Sequence, residues 1–312
     1  MTTATVNSSS GVNVNTGSAN YIADFPGLFS SSLFNYGYFN SSYTNASQYG
    51  VAANLEVGTG AYTGGDAMLA EGNLTYSTST HVLSGELDTL YFGDELNGVT
   101  VSGTGTTSTA MSLGTTEFSL TGLDLDSSQG DDVHGILYGM MTGDETALLN
   151  FLATNAVTFN GGTGADSYQG GTQIDTLIGG AGADTLLGGG AADVISGGNG
   201  ADILRGEAGA DSITSGAGND TFLFAALSES TTSTFDTLTT FNAINADASH
   251  DLIDVSALDL SAFTGSTATA NSIWYSSSAG KLYADTTGDT TADFAVAITT
   301  LNGTFDASDF VL

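Results

Sequence analysis

Residues 161–223 constrain this chain more than any other stretch, because a nine-residue unit repeats there seven times without an insertion. The units read GGTGADSYQ, GGTQIDTLI, GGAGADTLL, GGGAADVIS, GGNGADILR, GEAGADSIT and SGAGNDTFL. Aspartate recurs at every ninth position, as Asp166, Asp175, Asp184, Asp193, Asp202, Asp211 and Asp220. Two places later stands a large apolar side chain: Tyr168, Leu177, Leu186, Ile195, Leu204, Ile213 or Phe222. Glycine permits positive φ, so the front of each unit reads as a tight turn and its end as a very short strand. A nine-residue unit cannot bury its one apolar residue alone. Successive units must therefore stack, with strands about 4.7–4.9 Å apart, into a parallel β-roll. A flexible Gly/Asp linker has no reason to keep apolar residues in phase with aspartates over seven units.

Carboxylates and converging turn carbonyls are hard oxygen donors, the kind that calcium takes. The candidate ligands are the seven aspartates and the turn glycines Gly162, Gly164, Gly180, Gly182, Gly198 and Gly200. With two units per coil, ions are expected between coils on both edges, on the order of four to six in all. Gln173 and Ala191 occupy the place of the second turn glycine, and Glu207 and Ser215 each replace a member of the first pair. A side chain where positive φ is needed costs about 1 kcal/mol or more, so those sites are expected to be the weaker ones. The unit resembles the calcium-binding nonapeptide of RTX (haemolysin-type) proteins.

The 312 residues include 34 acidic and two basic ones, Arg205 and Lys281, for a formal net charge of −32. Self-repulsion of this size opposes compaction without cations, so folding coupled to calcium is expected. The same charge excludes nucleic acid and anionic membrane surfaces as partners. Apolar residues make up 40% of the chain, enough for packed cores. Cysteine is absent, so stability has to come from packing and metal. The first residues, MTTATVNSSSGVNVNTG, have neither a basic stretch nor an apolar one, and no run of about 18 apolar residues occurs. Neither a conventional signal peptide nor membrane insertion is expected. Weak calcium sites fill at the millimolar calcium found outside cells, which calls for another export route.

Residues 1–20, rich in Ser, Thr, Asn and Gly, read as a flexible arm or an edge strand. Residues 21–158 are rich in aromatics and contain alternating stretches at 73–77, 82–92 and 117–125, with a turn expected at Asn97-Gly98. Helical patterns follow at 133–141 and 144–153. This part reads as α+β. Its segments EGNLTYSTSTHVLSGELDTLYFGDEL and FSLTGLDLDSSQGDDVHGILYGMMTGDETALLNFL resemble the bacterial haemophores of the HasA type, over roughly residues 21–152. The resemblance implies a curved antiparallel sheet with helices on one face. It also implies haem held between two loops at one end, capture of haem outside the cell, and delivery to an outer-membrane haem receptor.

By the same resemblance Tyr76, in GNLTY, falls on the axial tyrosine. His81 falls near the histidine that accepts its hydrogen bond, across a loop three residues shorter than the family leads one to expect. The pairing is chemically sensible: a phenol titrates near 10, and an imidazole that takes its proton favours the tyrosinate that ferric iron prefers. His134 and Tyr138 stand one helical turn apart, with Met140 beyond them as an apolar contact. The early loop that carries a second axial histidine in many members reads LFNYGYFNSSYTN here and has no histidine. Either Tyr36 or Tyr38 takes that place, or Tyr76 holds the iron alone. A tyrosine in a strand is ordinarily packing, and a lone helical histidine is ordinarily a hydrogen-bonded surface residue; the resemblance is what lifts these residues above that reading.

The roll is expected over 159–224 and a C-terminal β capping region over 225–312, where FDTLTTFNAINADASHDLIDVSALDL resembles the segment that closes RTX rolls. Asp285, Asp289 and Asp293 have the spacing of a calcium loop, the alternative being a solvated acidic hairpin. His250 reads as an exposed loop residue. Asp309-Phe310-Val311-Leu312 resembles the acidic-then-aliphatic end of type I secretion substrates, which implies an uncleaved signal read by that machinery and an extracellular or cell-surface protein. Neither H-E-x-x-H nor G-x-S-x-G occurs and three scattered histidines leave few bases, so no enzyme is expected. Two functions fit: haem capture by a secreted calcium-binding RTX protein, or calcium-dependent self-association into a surface layer, filament or matrix that uses the haemophore-like fold without haem.

Overall fold

A computed structural model describes residues 2–6, 13–14, 38–39, 46–52, 66–77, 82–102, 105–126, 133, 135–137, 146–243 and 249–312. The chain divides into two compact units, one of Met1–Ser8 with Val12–Leu152 and one of Ser9–Gly11 with Ala153–Leu312.

The first unit is built on an antiparallel sheet. Ala46–Ala52, Asp66–Ser77, Val82–Ser102 and Gly105–Asp126 pair in sequence, Tyr38–Phe39 joins beside the first of them, and Thr2–Val6 pairs with the last. The two longest strands run well beyond the alternating stretches at 82–92 and 117–125. Asn97-Gly98 is not a turn: Asn97 lies opposite Ser112 and Val99 opposite Ser108, so the dipeptide forms an irregularity inside a continuous strand. The extra residues lie on the partner strand, where three residues separate Ser108 from Ser112 against the single Gly98 opposite. A second register shift, between Leu87 and Thr89, explains why Leu87 and Leu90 are both buried although three residues apart. Val133, Ile136 and Leu137 are buried, with 135–137 helical, and Thr146–Thr154 forms a helix that buries Leu148 and Leu152 four positions apart. The unit is α+β.

The second unit contains the parallel β-roll. Strands pair with partners eighteen residues on, two repeats per coil. Thr176–Ala181 lies between Val157–Asn160 and Val194–Asn199, and Thr185–Gly190 lies between Ser167–Gln169 and Ile203–Ala208. Ser212–Ala217 and Thr221–Leu223 complete the repeat region, each sheet taking every second unit. The inward residues Leu177, Leu186, Ile195, Leu204, Ile213 and Phe222 are fully buried, and at the start Phe159 and Tyr168 stack at 4.6 Å. Each such side chain contributes about 1.5–3 kcal/mol.

The roll continues past the glycine-rich units. Asp236–Asn242 pairs in parallel with Ser212–Ala217, Leu252–Asp254 with Thr221–Leu223, and Phe310–Val311 with Leu252–Asp254. Phe294–Ile298 adds in parallel to Asp236–Asn242, followed by antiparallel Lys281–Asp285 and Ser272–Ser276. Phe241, Phe263, Phe305 and Phe310 form one aromatic cluster at this end, where the last inward residues would otherwise meet water. Both basic residues serve packing. Arg205 Nη2 lies 2.5 Å from Glu229 Oε1 and its Nη1 lies 3.1 Å from Glu207 Oε1, while Lys281 Nζ sits 3.4 Å from the centre of the Phe235 ring.

Candidate metal centre

The aspartates of the roll form two ladders, one on each edge. On one edge the backbone N–H of Asp166 donates to Asp184 Oδ1 at 2.7 Å, that of Asp184 to Asp202 Oδ1 at 2.9 Å, and that of Asp202 to Asp220 Oδ1 at 3.0 Å. On the other, Val157 N–H donates to Asp175 Oδ1, Asp175 N–H to Asp193 Oδ1 and Asp193 N–H to Asp211 Oδ1, each at 2.7 Å. One carboxylate oxygen of each of Asp175, Asp184, Asp193, Asp202, Asp211 and Asp220 is thereby spent on holding coil to coil.

In the first two repeats the second oxygen accepts from the turn, Asp166 Oδ2 from Gly162 N–H at 2.8 Å and Asp175 Oδ2 from Gly171 N–H at 2.9 Å; in the later five it is left over. Oδ2 of Asp184, Asp193, Asp202, Asp211 and Asp220 is buried and has no hydrogen-bond partner. Burial pushes the Asp193 carboxyl up to about 7 and those of Asp184 and Asp220 up to about 6; the ladder hydrogen bonds oppose this and neighbouring carboxylates add to it. A buried charge without a counter-charge costs several kcal/mol, and so many in register demand compensation.

The glycines show what stands beside those oxygens. A Cβ added at Gly179 would lie 2.4 Å from Asp184 Oδ2 and 2.4 Å from the carbonyl oxygen of Gly197 on the next coil; at Gly161, Gly170, Gly188 and Gly197 it meets the same pair of atom types. Carboxylate and carbonyl oxygens thus converge on one spot in each of these five turns, which glycine leaves open. The turn carbonyls of Gly162, Gly164, Gly180, Gly182, Gly198 and Gly200 likewise face the glycine eighteen residues on, whose φ is positive in every case. Among the described residues no group of three or more His, Cys, Asp or Glu side chains is close enough to hold a metal. A cation here would have one carboxylate per turn and draw its other protein ligands from carbonyls. A buried, unpaired carboxylate oxygen beside carbonyl oxygens fits calcium.

Two residues outside the repeats extend the ladders. Asp211 N–H donates to Asp236 Oδ1 at 2.9 Å, and Asp220 N–H to Asp251 Oδ1 at 3.3 Å. Asp236 Oδ2 is buried without a partner like those of the repeats, and burial holds its carboxyl well above the usual range. Asp251 Oδ2 accepts from Asn242 N–H and Ser215 Oγ. In the sequence Asp236-Thr-Leu and Asp251-Leu-Ile repeat only the Asp-x-apolar end of the nonapeptide, without the glycines that would single it out.

The acidic loop at 285–293 is arranged differently. Asp285 accepts from the N–H groups of Thr287, Gly288 and Thr290 at 2.8–2.9 Å, and Asp293 Oδ2 from those of Thr286 and Thr287 at 3.0 and 3.1 Å. Asp289 Oδ1 accepts from Thr291 N–H at 2.8 Å. Desolvation raises the Asp285 carboxyl, but the converging N–H groups outweigh it and hold the group below the usual carboxylate range; hydrogen bonds do the same for Asp293. These carboxylates close the loop on its own backbone.

Of the residues the haemophore resemblance singles out, Tyr76 lies one residue from the end of the strand Asp66–Ser77, opposite Leu83, and Tyr38 lies opposite Gly50. Tyr36, His81, His134, Tyr138 and Met140 lie outside the described residues. His250 is not an exposed loop residue. It is half-buried, its Nε2 lies 3.0 Å from Oδ1 of the buried Asp309, and its N–H donates to Asn219 Oδ1 at 2.8 Å. Its partner is 59 residues away, and nothing local announces it.

Comparison with known proteins places these features. The family described as Heme-binding protein A (HasA) matches residues 22–195, and the family described as Peptidase M10 serralysin C terminal matches residues 149–312, each more than half of the chain. Hemophore HasA of Serratia marcescens is 36% identical over 137 residues, covering 40% of this chain and 65% of the relative, so the chain spans about two thirds of that protein's length. Among solved structures, apo hemophore HasA from Yersinia pestis is 22% identical over 49% of this chain and 88% of that one, with a TM-score of 0.37. The AlgE6R3 subunit of the Azotobacter vinelandii mannuronan C5-epimerase is 31% identical over 45% of this chain and 80% of that one, with a TM-score of 0.34. The chain belongs to the heme-binding protein A (HasA) family and, through its β-roll half, to the serralysin C-terminal family.

Proposed function

We propose that the protein captures haem outside the cell, and that its β-roll binds calcium and folds on reaching calcium-rich surroundings. Family membership carries the haem reading, together with Tyr76 within GNLTY at the end of its strand. Tyr76 would hold the iron through its phenolate oxygen and His81 would take the phenol proton, while His134, Tyr138 and Met140 would line the pocket. Tyr36 or Tyr38 would complete the opposite side, or Tyr76 would serve alone. Haem, when bound, supplies a ferric centre that prefers a hard anionic oxygen. A receptor for haem delivery and export by type I machinery belong to the same reading, the second supported by the serralysin-type half.

For calcium, the unpaired buried Oδ2 atoms are the supporting observation. Asp166, Asp175, Asp184, Asp193, Asp202, Asp211 and Asp220 would hold the ions with the turn carbonyls, and Asp236 would extend the set. Bound calcium supplies the positive charge that lets those carboxylates stay ionised while buried. Asp285, Asp289 and Asp293 are a less suited set, since backbone donors already occupy them, and the same holds in part for Asp166 and Asp175, whose Oδ2 atoms accept from Gly162 and Gly171 N–H.

A haemin titration followed in the Soret band, with Tyr76→Phe alongside, tests the haem reading. Saturable binding by the wild-type chain and at least tenfold weaker binding by the variant are expected. An unsaturable spectrum, or a variant that binds as well as the wild type, sinks it.

A further inference from the structure

One face of the roll differs in charge from the rest of the chain. In the sheet of Val157–Asn160, Thr176–Ala181, Val194–Asn199, Ser212–Ala217 and Asp236–Asn242, the inward residues Phe159, Leu177, Ile195, Ile213 and Leu238 are fully buried. Their neighbours alternate outward: Thr158 and Asn160, Thr176 and Ile178, Val194 and Ser196, Ser212 and Thr214, Thr237 and Thr239. None of these ten is charged, in a chain with 34 acidic residues and a net charge of −32; the first charge met along the rows is Lys281, two strands beyond Thr237 through Ala297. The opposite sheet is not like this, since Arg205 and Asp254 stand among its outward positions.

The parallel register stacks these side chains in rows. One row runs Thr158, Thr176, Val194, Ser212, Thr237, and the other Asn160, Ile178, Ser196, Thr214, with Thr239 hydrogen-bonded to Thr214 at its end. Ile178 and Val194 are diagonal neighbours on adjacent strands and are 40% and 49% exposed; Ile174, in the turn before the same strand, is 55% exposed. A regular, uncharged sheet face thus carries an apolar centre.

We propose that this face is a self-association surface and that its occupant is the same face of a second copy, in a reversible two-fold pair. Two copies at net −32 repel wherever acidic surfaces meet, and this face lets them touch without setting charge against charge. A two-fold contact needs a patch that complements itself, and both rows repeat at the coil spacing, so facing copies share one pitch. The pairing takes Ile178 and Val194 out of water. Five strands about 4.7–4.9 Å apart offer only a few hundred Å², which places the pair at the weak, concentration-dependent end of protein contacts. Added salt strengthens it, because screening removes the long-range repulsion while the face has no ion pair to lose.

Sedimentation equilibrium on the full chain, in calcium enough to give the folded circular dichroism spectrum, tests this. The wild-type mass should rise with concentration from one chain towards two, and further in added salt. Ile178→Glu with Val194→Glu should weaken pairing at least tenfold with the spectrum unchanged, whereas Ile203→Glu, at a 42% exposed position on the opposite sheet, should pair as the wild type does. If the double variant loses its β signal, Ser196→Glu, in the row beside Ile178, is measured instead and should weaken pairing in the same way. The proposal is overturned by a wild type that stays monomeric at every concentration and salt, by pairing that the face variants leave intact, or by an equal loss in Ile203→Glu.

Discussion

At the residue scale, Asp184, Asp193, Asp202, Asp211 and Asp220 each divide the carboxylate between two tasks, and a single substitution separates them. Asp193→Asn keeps an oxygen for the Asp175 N–H but removes the buried charge. The variant is expected to be more stable than the wild type in a chelator and less stable in calcium, by about 1–3 kcal/mol each way. Thermal melts followed by circular dichroism with and without calcium decide it; a change of one sign in both conditions contradicts the two-task reading. Ala191 and Glu207 hold φ of 78° and 66°; every other repeat has glycine at the place of Glu207, and every other but the one with Gln173 has glycine at the place of Ala191. Ala191→Gly should therefore gain up to about 1 kcal/mol, the relief of left-handed strain being partly offset by glycine's larger entropy when unfolded. Gly200→Ala should not be tolerated, since its Cβ would fall 1.5 Å from the Gly182 carbonyl oxygen. Equal Tm values for the wild type and both variants would refute the strain argument. The seven repeat aspartates are legible in the sequence because their period is local. Asp236 and Asp251 are not, because without upstream glycines an Asp-x-apolar triplet is too common to read.

At the element scale, the last coils are tied to the roll by side chains from distant segments. Arg205 bridges the strand Ile203–Ala208 to the short helical turn Leu227–Glu229, where Glu229 also accepts from Ala225 N–H. Arg205→Met leaves a nearly buried carboxylate without its counter-charge and should cost about 1–3 kcal/mol, less than for a fully buried pair because the guanidinium is partly exposed. Replacing Glu229 by Gln as well should recover part of the loss, and a double variant no better than Arg205→Met would show that the charge is not what matters. Asp236→Ala strips the acceptor from Asp211 N–H and should lower Tm by several degrees, read by the same melts. The long strands of the first unit show how an element can mislead: Asn97-Gly98 has the composition of a hairpin turn, yet its flanking residues pair across to Ser112 and Ser108. Turn chemistry permits a reversal, and strand pairing decides whether the chain uses it there or runs straight on, as here, with the extra residues of the irregularity on the facing strand.

At the scale of the whole molecule, the charge of −32 and the buried aspartates make the second unit the one that cations control. Trp274 is the chain's one tryptophan and lies in that unit, nearly buried and stacked 5.9 Å from Tyr283. Its fluorescence therefore reports the second unit alone. Chelation should shift that emission to the red and remove part of the β signal, and millimolar calcium should restore both; an emission unmoved by chelator argues against calcium-coupled folding. The sequence by itself determined the parallel roll, its inward residues and the eighteen-residue step of its ladders, because a repeated unit brings its own period to every coil and burial of one residue per strand leaves one way to stack. The tertiary structure alone decided where the ladders end, that His250 holds Asp309, that Arg205 meets Glu229, and that five adjacent strands of one sheet face carry no charge outward. Those pairings join segments that share no period, so their geometry exists only once the coils have closed.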